Sequence, residues 1–149
     1  MITETQQGRS KRFELYEIIE SISSETKPAK KVELIRYYLT TYTSFADYVR
    51  CVFDEKIQFL LPDSRPPFTP SVAETAPSSW HKQNMKLTYF VKGLKADHVN
   101  PMRRESIFIG MLESVHPKDA EILVDMVAKK TPCKGLTVKR VKEAIPNLL

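Results

Sequence analysis

The chain has 149 residues and a mass of 17.2 kDa, enough for one ordinary domain and too little for a second large catalytic domain beside it. Hydrophobic residues make up 42% and charged residues 28%, which excludes a disordered tail, and no apolar run approaches the roughly 18–20 residues of a membrane span. Lys and Arg total 23 against 18 Asp and Glu, a formal charge of +5 that admits nucleic acid or another acidic partner without proving either.

Glycine is scarce, 4 against 10 prolines, which favours helices over sandwiches and Gly-rich nucleotide folds. The polar start Met1–Gln7, with Glu4 in it, does not read as a signal peptide. Residues 1–11 read as a flexible tail, and residues 12–149 as one helical domain. A first helix is expected from near Lys11, with Leu15, Ile18, Ile19 and Ile22 as its apolar stripe. Ser23-Ser24 and Thr26-Lys27-Pro28 then read as stop and restart. The second helix carries Leu34, Ile35, Tyr38, Leu39 and Tyr42. The third, capped at Thr43 or Ser44, carries Phe45, Val49, Val52, Phe53, Ile57 and Leu60 as far as Pro62.

Residues 62–78 hold Pro62, Pro66, Pro67, Pro70 and Pro77, so they form a long extended loop, with Phe68 and Val72 as expected pins. A fourth helix is expected from Ser79 to about Val91, stopped at Gly93. Trp80, after the loop, reads as a core anchor that pins it, although a Trp beside His81 and Lys82 also suits stacking on a base. Asn100-Pro101 starts a helix that buries Phe108, Met111, Leu112 and Val115. His116-Pro117 starts the next, with Ala120, Leu123, Val124 and Val127 inward. After a turn at residues 131–135, Thr137 caps a last helix with Val138, Val141, Ile145 and Leu148 inward. The expected fold is all-α, a single compact domain of about six or seven helices with a long Pro-rich loop.

Chemistry-bearing patterns are few. His81, His98 and His116 are scattered, and no CxxC, HExxH or HxH spacing exists, so neither a metal nor a cofactor is expected. There is no GxSxG elbow and no Walker loop. Cys133 sits in a basic turn that would lower its pKa, but the plainer reading is an ordinary thiol. With Cys51 it reads as a reduced pair. No enzyme is expected.

The basic residues are more informative. Lys82, Lys86, Lys92, Lys95, Arg103 and Arg104 form one stretch opposed by Asp97; Lys129, Lys130, Lys134, Lys139, Arg140 and Lys142 form another opposed by Glu143. If the two meet, they make a face suited to phosphates; if not, they are solvated helix surfaces. At Gly135-Leu136-Thr137 a glycine permits close backbone approach, and the helix start at Thr137, with Lys139 and Arg140, reads as a phosphate seat or as an ordinary capped helix.

Two resemblances follow. Ser79–Lys82, Lys86–Gly93, Arg104–Ile109, Met111–Ala120 and Lys134–Thr137 resemble small proteins of T4-like tailed phages, a family without an assigned activity. That resemblance implies the cytoplasm of an infected bacterial host. The order of elements also resembles the N-terminal helical DNA-binding domain of phage ATP-dependent DNA ligases. The residues are Phe13–Ile22 at the opening, Val49–Pro62 in the middle, and Gly135–Thr137 and Pro146–Leu148 at the close. This likeness implies a grip on duplex backbone across the minor groove, with Gly135, Thr137 and Lys139 as phosphate contacts. The ligase Lys-x-Asp-Gly motif is absent, so it implies the grip without the sealing chemistry.

The expected function is therefore non-enzymatic binding of duplex DNA through its sugar-phosphate backbone. Lys82, Lys86, Arg103, Arg104, Lys134, Gly135, Thr137, Lys139 and Arg140 are the candidate contacts. The alternative is an adaptor or inhibitor that binds a host or phage protein through the Pro-rich loop.

Overall fold

A computed structural model describes residues 12–149, and the tail expected over residues 1–11 lies outside the described residues. Seven α-helices occur among the described residues: α1 (Leu15–Ser24), α2 (Pro28–Thr41), α3 (Thr43–Phe53), α4 (Trp80–Gln83), α5 (Pro101–Leu112), α6 (Pro117–Val127) and α7 (Val138–Ala144). Three 3-10 turns, Ala73–Thr75, Asn84–Tyr89 and Lys95–His98, punctuate the rest. The chain is an all-helical single domain. α1 packs on α2 and α6, α3 on α2, α4 and α6, α5 on α6, and α7 on α2.

Each helix start has a local cause. α1 begins at Leu15 rather than near Lys11, because the Glu14 N–H donates to Glu17 Oε1 (2.9 Å) and fixes the first turn there. Pro28, Pro101 and Pro117 occupy first helical positions, where the missing N–H costs nothing. Asn100 Oδ1 accepts from the Arg103 N–H (2.8 Å), His116 Nδ1 from the Lys118 N–H (3.0 Å) and Thr137 Oγ1 from the Arg140 N–H (3.2 Å). The apolar stripes of α1 and α5 are buried as their spacing requires, but Val138 of α7 lies outward, half-exposed.

Two expected helix ends unwind, and for one shared reason. α3 stops at Phe53 instead of running to Leu60, and the helix expected to reach Val91 is a four-residue α4 followed by a 3-10 turn. Residues 58–60 and 90–92 pair instead. Leu60 N–H donates to Phe90 O (2.7 Å) and Lys92 N–H to Gln58 O (2.8 Å), an isolated antiparallel bridge centred on Phe59 and Val91. Aromatic and β-branched side chains suit such a pair better than a helix interior.

Trp80 is the pin that its position suggests. It is fully buried, and its indole N–H donates to Ser44 O at the start of α3 (2.7 Å). Its neighbour His81 lies between Ser44 Oγ and Phe13 O, each 2.6 Å away, and stacks on Tyr42. The Pro-rich segment 62–78 runs extended across α5 and α6. Thr69 N–H donates to Glu113 Oε2 (2.7 Å), Ser71 Oγ–H to Val115 O (2.5 Å) and Ser78 N–H to Ser114 O (2.8 Å). Phe68 packs against the core, whereas Val72, expected as a second pin, is 61% exposed.

Asp119 ties the starts of α1 and α6 together. It is fully buried, and Oδ1 accepts the Tyr16 N–H (2.8 Å) while Oδ2 has no partner among the described residues. Burial, with Glu14 and Glu17 adding repulsion, pushes its carboxyl up to about 7. The folded state thus keeps a proton that the unfolded chain releases near pH 4, so the stability conferred by protonated Asp119 is present in acid and lost as pH rises toward 7. Asp119→Asn keeps the acceptor without the charge. Its unfolding free energy in chemical denaturation is expected to gain on that of the wild type steadily between pH 4 and 7, by about 4 kcal/mol at most; a gap that stays constant with pH refutes this.

Candidate nucleic-acid interface

The candidate site is built around the Gly135 turn. Gly135 has φ +80°, a conformation that a side chain disfavours, and its open side is occupied. A Cβ there would lie 2.7 Å from Lys31 Cδ and 2.8 Å from both Lys31 Nζ and an Arg140 guanidinium nitrogen. The close approach that glycine permits is therefore made by the protein's own cations rather than left for a partner. Lys31 Nζ donates to Lys134 O (2.9 Å) and Arg140 Nη1 to Gly135 O (3.0 Å).

Lys31 was not among the residues expected from the sequence, although a signal existed. It stands one turn before Ile35 and two before Tyr38, on the apolar stripe of α2, and is 6% exposed. A lysine on a buried face needs an acceptor, and the Lys134 carbonyl supplies it. Around this pair Lys134 and Lys139 are exposed. Thr137, Lys139 and Arg140 line a cleft of about 540 Å³ with Pro28, Ala29, Val32 and Glu143 of α2 and α7. Glu143 is the one carboxylate lining it. None of Lys31, Lys134, Lys139 and Arg140 makes an ion pair among the described residues, where the three pairs are Arg50–Asp47, Arg65–Glu121 and Lys118–Glu20.

The other expected contacts separate from this cluster. Lys82 and Lys86 belong to α4 and the 3-10 turn after it, which pack on α3, whereas α7 packs on α2. Arg103 is exposed in the first turn of α5. Arg104, expected beside it as a phosphate contact, is a structural clasp. Its guanidinium donates to Leu60 O (3.1 Å), Ala96 O (2.9 Å) and Val99 O, closing the loops before α5. The structure thus brings together Lys134, Gly135, Thr137, Lys139 and Arg140, adds Lys31, and gives Arg104 three backbone carbonyls to hold.

The two thiols lie in apolar surroundings. Burial pushes the Cys51 thiol up to about 12 and the Cys133 thiol up to about 11, so the basic turn does not activate Cys133. Both are buried free thiols. No group of three His, Cys, Asp or Glu placed to hold a metal occurs among the described residues, and no described helix is long and apolar enough to cross a membrane.

Residues 18–132 match DUF6433, described as a family of unknown function. The chain belongs to that family. The match takes in Lys31 and the first basic stretch and ends just before the Gly135 turn. No curated protein and no solved structure matches this member of DUF6433.

Gly135→Ala adds a methyl where two cations already sit and places a side chain at positive φ. A loss of about 1–2 kcal/mol in chemical denaturation is expected from the backbone alone. Lys31→Met in the same background should recover part of it by withdrawing the crowding ammonium; equal stability of Gly135→Ala and wild type refutes the packing described.

Proposed function

We propose that this chain is a non-enzymatic phage protein that binds duplex DNA through the sugar-phosphate backbone in the cytoplasm of an infected bacterial host. The observation that supports it most is the set of four cations, Lys31, Lys134, Lys139 and Arg140, gathered about one turn and unpaired with any carboxylate among the described residues. Two of them hold backbone carbonyls, which are neutral, so their full charge still acts outward. Arg carries five donors, so Arg140 has N–H groups left for phosphate oxygens, whereas Lys31, 6% exposed, acts through its charge.

In this reading Lys134 and Lys139 are direct phosphate contacts, and Arg140 presents the guanidinium edge that Gly135 O does not use. Thr137 Oγ1 accepts from Arg140 N–H and keeps its own hydrogen to donate. Gly135 serves by admitting Lys31. Lys82, Lys86 and Arg103 lie on other elements and add to the long-range attraction rather than to the seat. The likeness to the ligase DNA-binding domain agrees with this at Gly135–Thr137 and rests on the quoted residues alone. Backbone contacts position without reading bases, so little sequence preference follows.

Mobility shift on duplex, nicked and single-stranded DNA at two salt concentrations tests the proposal. Duplex binding should weaken steeply with salt, and Lys139→Ala should lower the slope of log K against log salt by roughly 1. Absence of a shift on every substrate at low salt ends this reading.

A further inference from the structure

The first basic stretch has a different surface chemistry from the Gly135 cluster. Met85 is 75% exposed, Leu94 50% and Met102 84%, three of the seven large apolar side chains that face solvent among the described residues. They sit on neighbouring elements. The 3-10 turn holding Met85 packs on the turn that Leu94 introduces, and Arg104 of α5 bonds the carbonyls of Ala96 and Val99 beside it. The first turn of α5, which carries Met102, is thereby held against the same segment.

Cations stand beside these apolar groups in the chain, Lys86 after Met85, Lys95 after Leu94 and Arg103 after Met102. Lys82, Lys92, Lys95 and Arg103 are exposed and Lys86 half-exposed, with Lys95 lying 5.5 Å over the Tyr89 ring. The carboxylates nearby are Asp97, Glu105 and Asp47; Asp97 accepts the Gly93 N–H (2.9 Å), and Asp47 is held by Asn84 and Arg50. Phosphate oxygens make no favourable contact with exposed thioether and isobutyl groups, whereas an exposed apolar surface beside one sign of charge suits a protein partner of the opposite sign. Methionine is unbranched and adapts to irregular partner surfaces.

We propose that Met85, Leu94 and Met102 form one surface with Lys82, Lys86, Lys92, Lys95 and Arg103, and that this surface docks an acidic amphipathic segment of a partner protein. The segment lays its apolar face on the methionines and its carboxylates against the cations. This surface uses none of the residues of the Gly135 seat and shares with the DNA reading only the long-range attraction of Lys82, Lys86 and Arg103, so a failure of peptide binding leaves the seat standing.

The probe is a short synthetic amphipathic peptide of Glu and Leu, added to the full chain labelled with 13C at the methionine methyls. The Met85 and Met102 methyl signals should move and saturate, while those of the buried Met111 and Met126 stay in place. A peptide of the same composition in shuffled order should bind at least about tenfold more weakly. Met85→Ser with Met102→Ser, both exposed, should leave the thermal midpoint unchanged and weaken peptide binding by about tenfold. The proposal is overturned by an absence of methyl shifts, by equal binding of the shuffled peptide, or by unchanged affinity of the double variant. It is equally overturned if vesicles of phosphatidylglycerol or duplex DNA move the same methyls at lower concentration than the peptide does.

Discussion

Open backbone carbonyls are the constraint around which this fold is arranged. Its helices are short, the longest being the fourteen residues of α2, and residues 54–79 lie outside α-helix altogether. Every helix end leaves carbonyls without intrahelical partners, and with four glycines in the chain the usual left-handed glycine cap is seldom available. Cationic side chains close these ends instead. Lys129 donates to Cys51 O (2.7 Å) and Asp54 O (3.2 Å) at the end of α3. Arg36 donates to Ala144 O (2.9 Å) and Glu143 O (3.3 Å) at the end of α7, and Arg50 to Leu148 O (3.3 Å). Lys129 takes the position after the α6 cap with φ +62°, where glycine would be easier. The strain of about 1 kcal/mol or more is offset by what its ammonium holds across the domain.

That use of cations changes how the net charge is understood. A guanidinium bonded to a carbonyl is satisfied but not neutralised, so the domain spends donors on its own backbone while its field remains positive. The three ion pairs of the described residues are all more than a third exposed, where such pairs add at most about 1 kcal/mol. Counting basic residues along the chain therefore overstates the hands free for a ligand. Arg104 shows the error in one direction and Lys31 in the other.

What the sequence made legible was local. Asn100-Pro101, His116-Pro117 and Thr137 state their helix starts within four residues, because a cap needs only its own turn. The stripe Leu15, Ile18, Ile19 and Ile22 states a buried face for the same reason. The ends of α3 and α4 were not legible, since the bridge between Phe59 and Val91 joins segments 32 positions apart and outcompetes two continuing helices. The role of Arg104 likewise depends on carbonyls at Leu60, Ala96 and Val99 that converge only in the folded chain. Of the candidate interface, the Gly135 turn and its flanking cations were legible as a group. The separation of Lys82, Lys86 and Arg103 from them was not, because adjacency of helices is set by packing.

The sorting of charge has a cost that appears on the opposite sign. α1 packs on α6, and this sets Glu14 and Glu17 close enough to act on the buried Asp119. Its carboxyl rises because no cation stands near enough to offset burial, although the Tyr16 N–H favours the ionised form. A single lysine diverted from the Gly135 turn or the 82–104 stretch would relieve it. Six of the eighteen acids, Glu14, Glu17, Glu20, Asp119, Glu121 and Asp125, lie on or at the start of these two helices, with Lys118 as the one base on either. Asp119 is thus the internal counterpart of the unpaired cations at Gly135: one distribution of charge strains the first and exposes the second.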